Sequence, residues 1–162
     1  MNKSVLSLLE AKELIEELNH QYVEAIDDDE LEKWPEFFTD DALYQIISRE
    51  NYDRNFPQAV IYCDSKGMLK DRITAHRHAN IYEPHFYRHL ISNIRIVGEE
   101  NGVFTVRSNY AVFQTKLDGE TKIFNTGRYF DEVVFEDSQP KFKKRTVVFD
   151  TLSIPTLLVT PI

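Results

Sequence analysis

The sequence predicts a single α+β domain in which helices come first and an antiparallel sheet follows. The first third of the chain has apolar residues at steps of three and four, which is typical of helices packed on one side. The second half consists of long runs rich in Val, Phe, Tyr, Ile and Thr, separated by turn signals. Because these patterns do not alternate, a parallel βαβ sheet is not expected. No repeat or linker divides the chain, so one domain is predicted over residues 1–162.

Three helices are predicted. The first has one apolar stripe, formed by Leu8, Ala11, Ile15, Leu18, Tyr22 and Ala25. Three aspartates at residues 27–29 interrupt this pattern, and a second short helix is predicted over residues 30–38, with Trp34 on its buried side. A third helix is predicted over residues 66–82, because Ser65 is a good N-cap and apolar residues follow it at helical spacing.

Strands are predicted from β-branched and aromatic runs. They cover residues 42–48, 60–63, 89–97, 103–117, 121–136 and 141–152. Asn-Gly at residues 101–102, Asp-Gly at residues 118–119 and the segment 137–140 are natural hairpin turns. The polar stretch 49–57 is predicted to be a loop. Gly127 lies inside a strand pattern, which indicates a bulge or a close approach of two backbones.

Composition excludes several classes of function. The net charge of −8 makes binding to nucleic-acid phosphates unfavourable. No apolar run reaches the roughly 20 residues that span a bilayer, and the amphipathic start lacks the apolar core of a signal peptide, so a cytoplasmic protein is expected. The single cysteine, Cys63, excludes an internal disulfide and an iron–sulfur cluster held by this chain alone.

The segment 71–93 contains four of the five histidines and is the part of the chain that most resembles an active site. On the predicted helix, His76 and His78 lie roughly 200° apart, so they cannot bind one ion together. On an extended strand, His85 and His89 share a face but lie about 13 Å apart. A site built from distant segments stays possible in principle, but no metal site is predicted. The simpler interpretation is that these histidines form hydrogen bonds at a helix end, a sheet rim or a partner surface.

Two other groups of charged residues have alternative interpretations. One of the aspartates at residues 27–29 could act as a general base with His76 or Tyr22, although a solvated acidic turn is the commoner structure for such a run. Charges also lie within the apolar strands, at Arg128, Asp131, Arg145 and Asp150. Buried charges are usually paired, so these residues are expected to form ion pairs within the sheet or contacts to another subunit, with a slight preference for the first.

Five blocks of sequence resemble the small, or beta, subunit of Rieske-type aromatic ring-hydroxylating dioxygenases. They are WPEFFTDDALY at 34–44, DRITAHRHANIYEPHFYRHLISN at 71–93, SNYAVF at 108–113, GRYFDEV at 127–133 and FKKRTVVFDT at 142–151. Their order and spacing carry the resemblance over residues 22–151. The terephthalate, anthranilate and salicylate enzymes have the most similar small subunits.

The resemblance implies a nuclear transport factor 2-like (cystatin-like) cone, with helices in the concavity of a curved, mainly antiparallel sheet. It implies a non-catalytic structural subunit that holds no cofactor. The Rieske 2Fe-2S cluster and the mononuclear iron are then expected in a large alpha subunit, within an α3β3 assembly, and a homotrimer is possible for the small subunit alone. The complex would oxygenate an aromatic, carboxylated ring with O2 and electrons from NAD(P)H supplied through a reductase.

The resemblance also assigns candidate residues. The family features fall on Trp34, on Arg88 and His89, and on the segment from Gly127 to Asp131. The structural or interface candidates are therefore Trp34, Arg88, His89, Arg128, Tyr129, Asp131, Arg145 and Asp150, and no catalytic residue is predicted. Two alternatives stay open: a stand-alone cone-fold isomerase, dehydratase or ligand-binding protein with an open apolar pocket, and a self-associating structural module.

Overall fold

The computed structural model describes residues 6–78, 85–151 and 160–162. Helices α1, α2 and α3 span Leu8–Asp27, Arg49–Asp53 and Lys66–His78, and a 3-10 helix spans Leu31–Phe37. Strands β1 to β6 span Phe38–Ser48, Ile61–Cys63, His85–Glu100, Val103–Lys116, Thr121–Glu136 and Gln139–Phe149. The predicted α+β class is confirmed, because the strands form one sheet and the helices lie beside it.

The sheet has the strand order β2-β1-β6-β5-β4-β3. All neighbouring pairs are antiparallel except β1 and β6, which are parallel. Helix α1 packs on the inner face of the sheet, against β3 and β6. The two-residue turns Asn101-Gly102 and Asp137-Ser138 have positive φ at both residues, which matches the twist of the strands that they join.

Helix α1 begins where its sequence predicts. Ser7 accepts a hydrogen bond from the Glu10 backbone, and the Glu10 carboxylate accepts one from the Ser7 backbone, so the two residues form a capping box. The predicted stripe is buried from Ala11 onwards, whereas Leu8 in the first turn is 67% exposed. Ser65 caps α3 as predicted, since its Oγ accepts a hydrogen bond of 3.2 Å from the Met68 backbone.

Several predicted boundaries are wrong. The second helix is a 3-10 helix, whose three-residue turn aligns Leu31 and Trp34 toward the core. Strand β1 starts at Phe38, four residues before its predicted start. The predicted loop 49–57 contains α2, and Ser48 caps this helix by accepting a 3.2 Å hydrogen bond from the Asn51 backbone. Strand β3 starts at His85 instead of residue 89, and the predicted ends of α3 and the last strand fall outside the described residues.

The core lies between α1 and the inner face of the sheet. Fully buried aromatic rings occupy its centre: Tyr22, Trp34, Phe38, Tyr44, Tyr129 and Phe142. Trp34 meets the rings of Phe38 and Tyr44 edge-on at centroid distances of 5.6 and 5.0 Å. Cys63 is buried in β2, where its apolar surroundings fit a packing role. Within the described residues, no helix is both long and apolar enough to span a bilayer.

Candidate functional site

A buried ion pair joins two neighbouring strands at the centre of the core. Asp131 on β5 and Arg145 on β6 are directly opposite each other, and both side chains are fully buried. Arg145 donates two parallel hydrogen bonds to the carboxylate, from Nε at 2.9 Å and from Nη2 at 2.8 Å. Nη2 also donates to the amide oxygen of Asn19 on α1. The pair therefore connects β5, β6 and α1 through charge-assisted hydrogen bonds.

Three aromatic rings surround the guanidinium of Arg145. Its Cζ lies 4.4 Å from the ring centroid of Tyr22, 3.9 Å from that of Tyr129 and 4.0 Å from that of Phe142. Burial works against the charged form, but the Asp131 carboxylate outweighs burial and raises the pKa of Arg145. Arg145 is thus a buried cation held by one carboxylate and by ring faces.

A second polar contact fixes the end of α1 to β3. The Asp27 carboxylate accepts two hydrogen bonds from His89, one from the backbone N at 2.9 Å and one from ring Nδ1 at 2.6 Å. Both side chains are almost completely buried. His89 Nε2 is buried without a hydrogen-bond partner in the described structure. The contact is a histidine–carboxylate pair, and its two hydrogen bonds hold the C-terminal end of α1 against β3.

One alternative from the sequence was a general base among the aspartates at residues 27–29, partnered by His76 or Tyr22. Asp27 pairs with His89 rather than with His76 or Tyr22. Tyr22 precedes Asp27 by five positions, which turns it roughly 140° away on a helix and into the core. His76 Nε2 lies 2.9 Å from Thr160 Oγ1 instead, and burial together with the charge of Arg77 lowers the pKa of His76.

The other two aspartates lie in the exposed turn after α1. Asp29, with φ of 58°, forms an ion pair with Arg77 Nη1 at 2.9 Å. This contact ties the turn to α3. Asp28 is exposed and closes α1, where its backbone N donates to the Glu24 carbonyl.

An open cleft of about 480 Å³ lies beside the Asp27–His89 contact, between the ends of α1 and α3 and the start of β3. Its lining includes the aspartates at residues 27–29, His76, His85, Arg88 and Thr160. Of the histidines in the segment 71–93, His76 and His85 share this cleft, where the ring centroid of His85 lies 4.5 Å from that of Tyr87, while His78 is exposed. The residues that the structure describes contain no group of three potential ligands arranged around one point.

The structure also places the remaining candidate residues. Trp34 is buried, and Tyr129 stacks on Tyr110 at a centroid distance of 4.6 Å. Arg88 and Arg128 are exposed on the outer face of the sheet. Asp150 is exposed and forms an ion pair of 3.2 Å with Arg49. Of the four charges predicted to be paired in the strands, Asp131 and Arg145 form the buried pair, while Arg128 and Asp150 lie on the surface.

The sequence analysis missed two contributors to the core. Asn19 binds Arg145, and its position four residues after Ile15 on the buried side of α1 is the signal that could have identified it. Ile162 is fully buried, and its backbone oxygen accepts hydrogen bonds from the hydroxyls of Tyr22 and Tyr44. No sequence pattern identified Ile162, because its partners are more than a hundred residues away in the chain and such a contact produces no local sequence pattern.

These observations define a class of protein. It is a cone of helices and one sheet, and the buried polar groups inside it form hydrogen bonds between its own helices and strands. A family model described as Ring hydroxylating beta subunit matches residues 21–156. The chain therefore belongs to the ring-hydroxylating beta subunit family, and the predicted resemblance is confirmed. As a small subunit, it is the non-catalytic part of a dioxygenase, which is an oxidoreductase complex, and its partner is a large alpha subunit.

Individual relatives agree with the family. The chain is 42% identical over 145 residues to the anthranilate 1,2-dioxygenase small subunit of Burkholderia cepacia, covering 90% of each. It is 34% identical to the beta 2 subunit of the terminal oxygenase component of a Comamonas terephthalate 1,2-dioxygenase, covering 89% of this chain and 94% of that one.

A solved structure supports the same assignment. A Novosphingobium aromaticivorans protein, assigned as the beta subunit of an aromatic-ring-hydroxylating dioxygenase, superposes with a TM-score of 0.86 at 49% identity. The match covers 94% of this chain and 97% of that one. The fold is the expected nuclear transport factor 2-like cone.

Proposed function

We propose that this chain is the structural small subunit of a multicomponent dioxygenase that oxygenates a carboxylated aromatic ring. The observation that carries the proposal is the 42% identity to an anthranilate dioxygenase small subunit over 90% of both chains. The identity to a terephthalate dioxygenase subunit supports it, because both of these substrates are aromatic carboxylates. O2 is the oxidant, and electrons come from NAD(P)H through a separate reductase in the cytoplasm.

The large subunit is proposed to carry the Rieske 2Fe-2S cluster and the mononuclear iron, within an α3β3 assembly. Cys63 is the single cysteine of this chain, too few for a Rieske centre, which needs two cysteines and two histidines. The small subunit then supports the assembly from outside the redox site. Alone, it could form a homotrimer.

The candidate residues divide into two proposed roles. Those that are buried hold the cone together: Trp34, His89, Tyr129, Asp131 and Arg145. Arg88, Arg128 and Asp150 are exposed and are proposed as interface residues. The positions of Arg88 and Arg128 on the outer face of the sheet support this division, because charged groups there are free to meet a partner.

We propose that the large subunit binds to an apolar patch on the outer face of the sheet, called here the outer patch. It consists of Phe86 and Leu90 on β3, Phe113 on β4 and Ile123 on β5. Phe86, Leu90 and Ile123 are 61%, 54% and 63% exposed. Arg88, Phe113 and Ile123 are paired in one row across the strands, and Phe86 and Leu90 flank Arg88 on the same face. Adjacent exposed apolar side chains of this kind mark subunit interfaces.

The first prediction concerns this outer patch. In the double variant Leu90→Gln and Ile123→Gln, binding to the large subunit should weaken by about a hundredfold, because two apolar side chains no longer become buried. The chain should keep its thermal stability, since both side chains are already exposed. Analytical ultracentrifugation of the mixed subunits measures the effect.

A matched control changes two exposed apolar residues near the opposite edge of the sheet. Val60 and Tyr62 are 55% and 53% exposed, and Tyr62 lies on edge strand β2. The double variant Val60→Gln and Tyr62→Gln should bind the large subunit normally. Equal weakening by both double variants would show that the outer patch has no special part in assembly.

The second prediction tests the function itself. The purified chain should be colourless, contain no stoichiometric iron and show no turnover of anthranilate or terephthalate. After coexpression with its large subunit, the two should copurify in equal amounts, and native mass spectrometry should give the α3β3 mass. Iron bound stoichiometrically by the isolated chain, or turnover by it, would contradict the proposal.

A further inference from the structure

A groove of about 530 Å³ runs along α1, and the 3-10 helix and the start of β6 form its other wall. The residues of α1 that line it extend from Leu14 to Ala25, and Asp28 at the end of the helix lines it too. This stretch is about 21 Å long, because a helix rises 1.5 Å per residue. The floor of the groove is apolar and consists of half-buried and buried side chains: Leu14, Leu18, Ala25, Phe37 and Pro140.

The rim of this groove is negatively charged, and the whole feature is called here the acidic groove. Five carboxylates and two lysines lie in its lining, which gives a formal charge of −3. Both lysines already have partners within the chain. Lys33 forms an ion pair with Glu30, and Lys141 Nζ donates to the backbone oxygen of Glu36. The carboxylates are those of Glu17, Glu24, Asp28, Glu30 and Glu36.

Three of these carboxylates, Glu17, Glu24 and Asp28, follow one face of α1. Like charges four residues apart, such as those of Glu24 and Asp28, destabilise a helix. Asp28 is also the C-cap, where the helix dipole disfavours negative charge, and the last turn of α1 contains no basic residue. Within the described residues, the ion pairs around the groove use other carboxylates. A cationic partner would therefore relieve a repulsion that the chain alone leaves uncompensated.

We propose that the acidic groove is a docking site for a basic segment of the large subunit. Lysine or arginine side chains of that segment would meet the rim, and its apolar side chains would cover the floor, as in the binding of an amphipathic helix to a groove. This docking site rests on the proposed function, in which the chain assembles with a large subunit. The acidic groove lies on the helix side of the sheet and the outer patch on the other side, so one small subunit can contact two large subunits of a closed assembly.

A synthetic peptide tests the acidic groove without the large subunit. The probe is a fluorescein-labelled peptide of about 14 residues, built from lysine and leucine with the leucines at helical spacing, which matches the length of the groove. Fluorescence anisotropy measures its dissociation constant. The double variant Glu17→Gln and Glu24→Gln should bind the peptide about tenfold more weakly than the unchanged chain, because two charge-assisted contacts are lost. Leu14→Gln should bind it about fivefold more weakly, since part of the apolar floor is lost.

A matched control removes the same charge outside the acidic groove. Asp53 on α2 and Glu100 at the end of β3 are exposed, as Glu17 and Glu24 are, so neither double variant should impair folding. Asp53→Asn with Glu100→Gln should bind the lysine peptide within about twofold of the unchanged chain, because salt screens distant charges. A peptide with glutamate in place of lysine should not bind. Equal weakening by the two double variants, or no binding of the lysine peptide, would overturn the proposal.

Carboxyl footprinting of the unchanged protein tests whether the large subunit is the occupant. Mass spectrometry measures the labelling of carboxylates by a carbodiimide and glycine ethyl ester, with and without the large subunit. Labelling of Glu17 and Glu24 should fall about fivefold in the complex, because the docked segment excludes water and reagent. Labelling of Asp53 and Glu100 should not change.

The outcomes separate this docking site from the proposed function. If the two subunits form a complex but Glu17 and Glu24 label as strongly as in the free chain, the large subunit does not occupy the acidic groove and the proposal is overturned. If no complex forms, the proposed function itself fails, and with it the large subunit as the occupant. Binding of the lysine peptide would then show that the acidic groove takes a basic segment from a different source.

Discussion

Replacing Arg145 with leucine should lower the free energy of unfolding by about 3–5 kcal/mol, because it leaves the buried Asp131 carboxylate without its partner. Both side chains are fully buried, so the carboxylate has no contact with bulk water in the folded state. The Asn19 oxygen would lose its donor as well. Urea unfolding followed by circular dichroism measures the change, and the slope of the transition should stay constant.

Two further variants make this prediction specific. Arg128→Leu removes an exposed arginine from the neighbouring strand and should change the free energy of unfolding by less than about 0.5 kcal/mol. The double variant Arg145→Leu and Asp131→Leu should recover much of the stability lost by Arg145→Leu, because apolar residues often replace a buried ion pair at little cost. If the double variant is no more stable than Arg145→Leu, the unpaired Asp131 carboxylate cannot be the main cause of the lost stability.

The ion pair between Asp131 and Arg145 could be predicted only in part from the sequence. Charges inside apolar strands predicted that pairs would exist, and the slight preference for pairs within the sheet is correct for Asp131 and Arg145. The pattern could not choose the partners, because the register of β5 on β6 decides which residues stand opposite. Arg128 and Asp131 are three apart, so they point to opposite faces of β5, and only Asp131 faces the core.

The polar contacts between distant elements were beyond sequence reasoning for a different reason. Asp27 was a candidate because of its charge, but its partner His89 comes from a strand 62 residues away. The predicted start of β3 at residue 89 lies four residues after its start in the structure, at His85. The amphipathic stripe and the hairpin turns fixed most elements because both are local, whereas the pairing of helix ends with strands is a property of the assembled cone.

Gly127 illustrates a local signal with a large tertiary consequence. A glycine inside a strand pattern predicted a bulge or a close backbone approach, and the close approach is present. A Cβ at this position would lie 2.0 Å from the Val148 carbonyl oxygen and 2.9 Å from the Phe149 Cα. Both are backbone atoms of β6, so no side-chain rotation can relieve the clash. Strand β5 could accept a side chain here only by moving away from β6.

Gly127→Ala should therefore lower the free energy of unfolding by about 3 kcal/mol or more, at the upper end of the usual cost of overpacking. The expected displacement is large because Gly127 lies between β4 and β6 and is opposite Phe149 in the register. Separation of the strands would also disturb Tyr129 and Asp131, which face the core from the same strand. Urea unfolding, together with the soluble yield at 37 °C, measures the effect.

Gly98→Ala is the matched control for this prediction. Gly98 lies in β3, and a Cβ there would meet no atom within 4 Å. The control should be neutral or stabilising by up to about 1 kcal/mol, because alanine restricts the unfolded chain. If Gly127→Ala proves as stable as Gly98→Ala, then β5 and β6 can separate without cost, and the tight packing of these strands cannot be what holds Asp131 and Arg145 together.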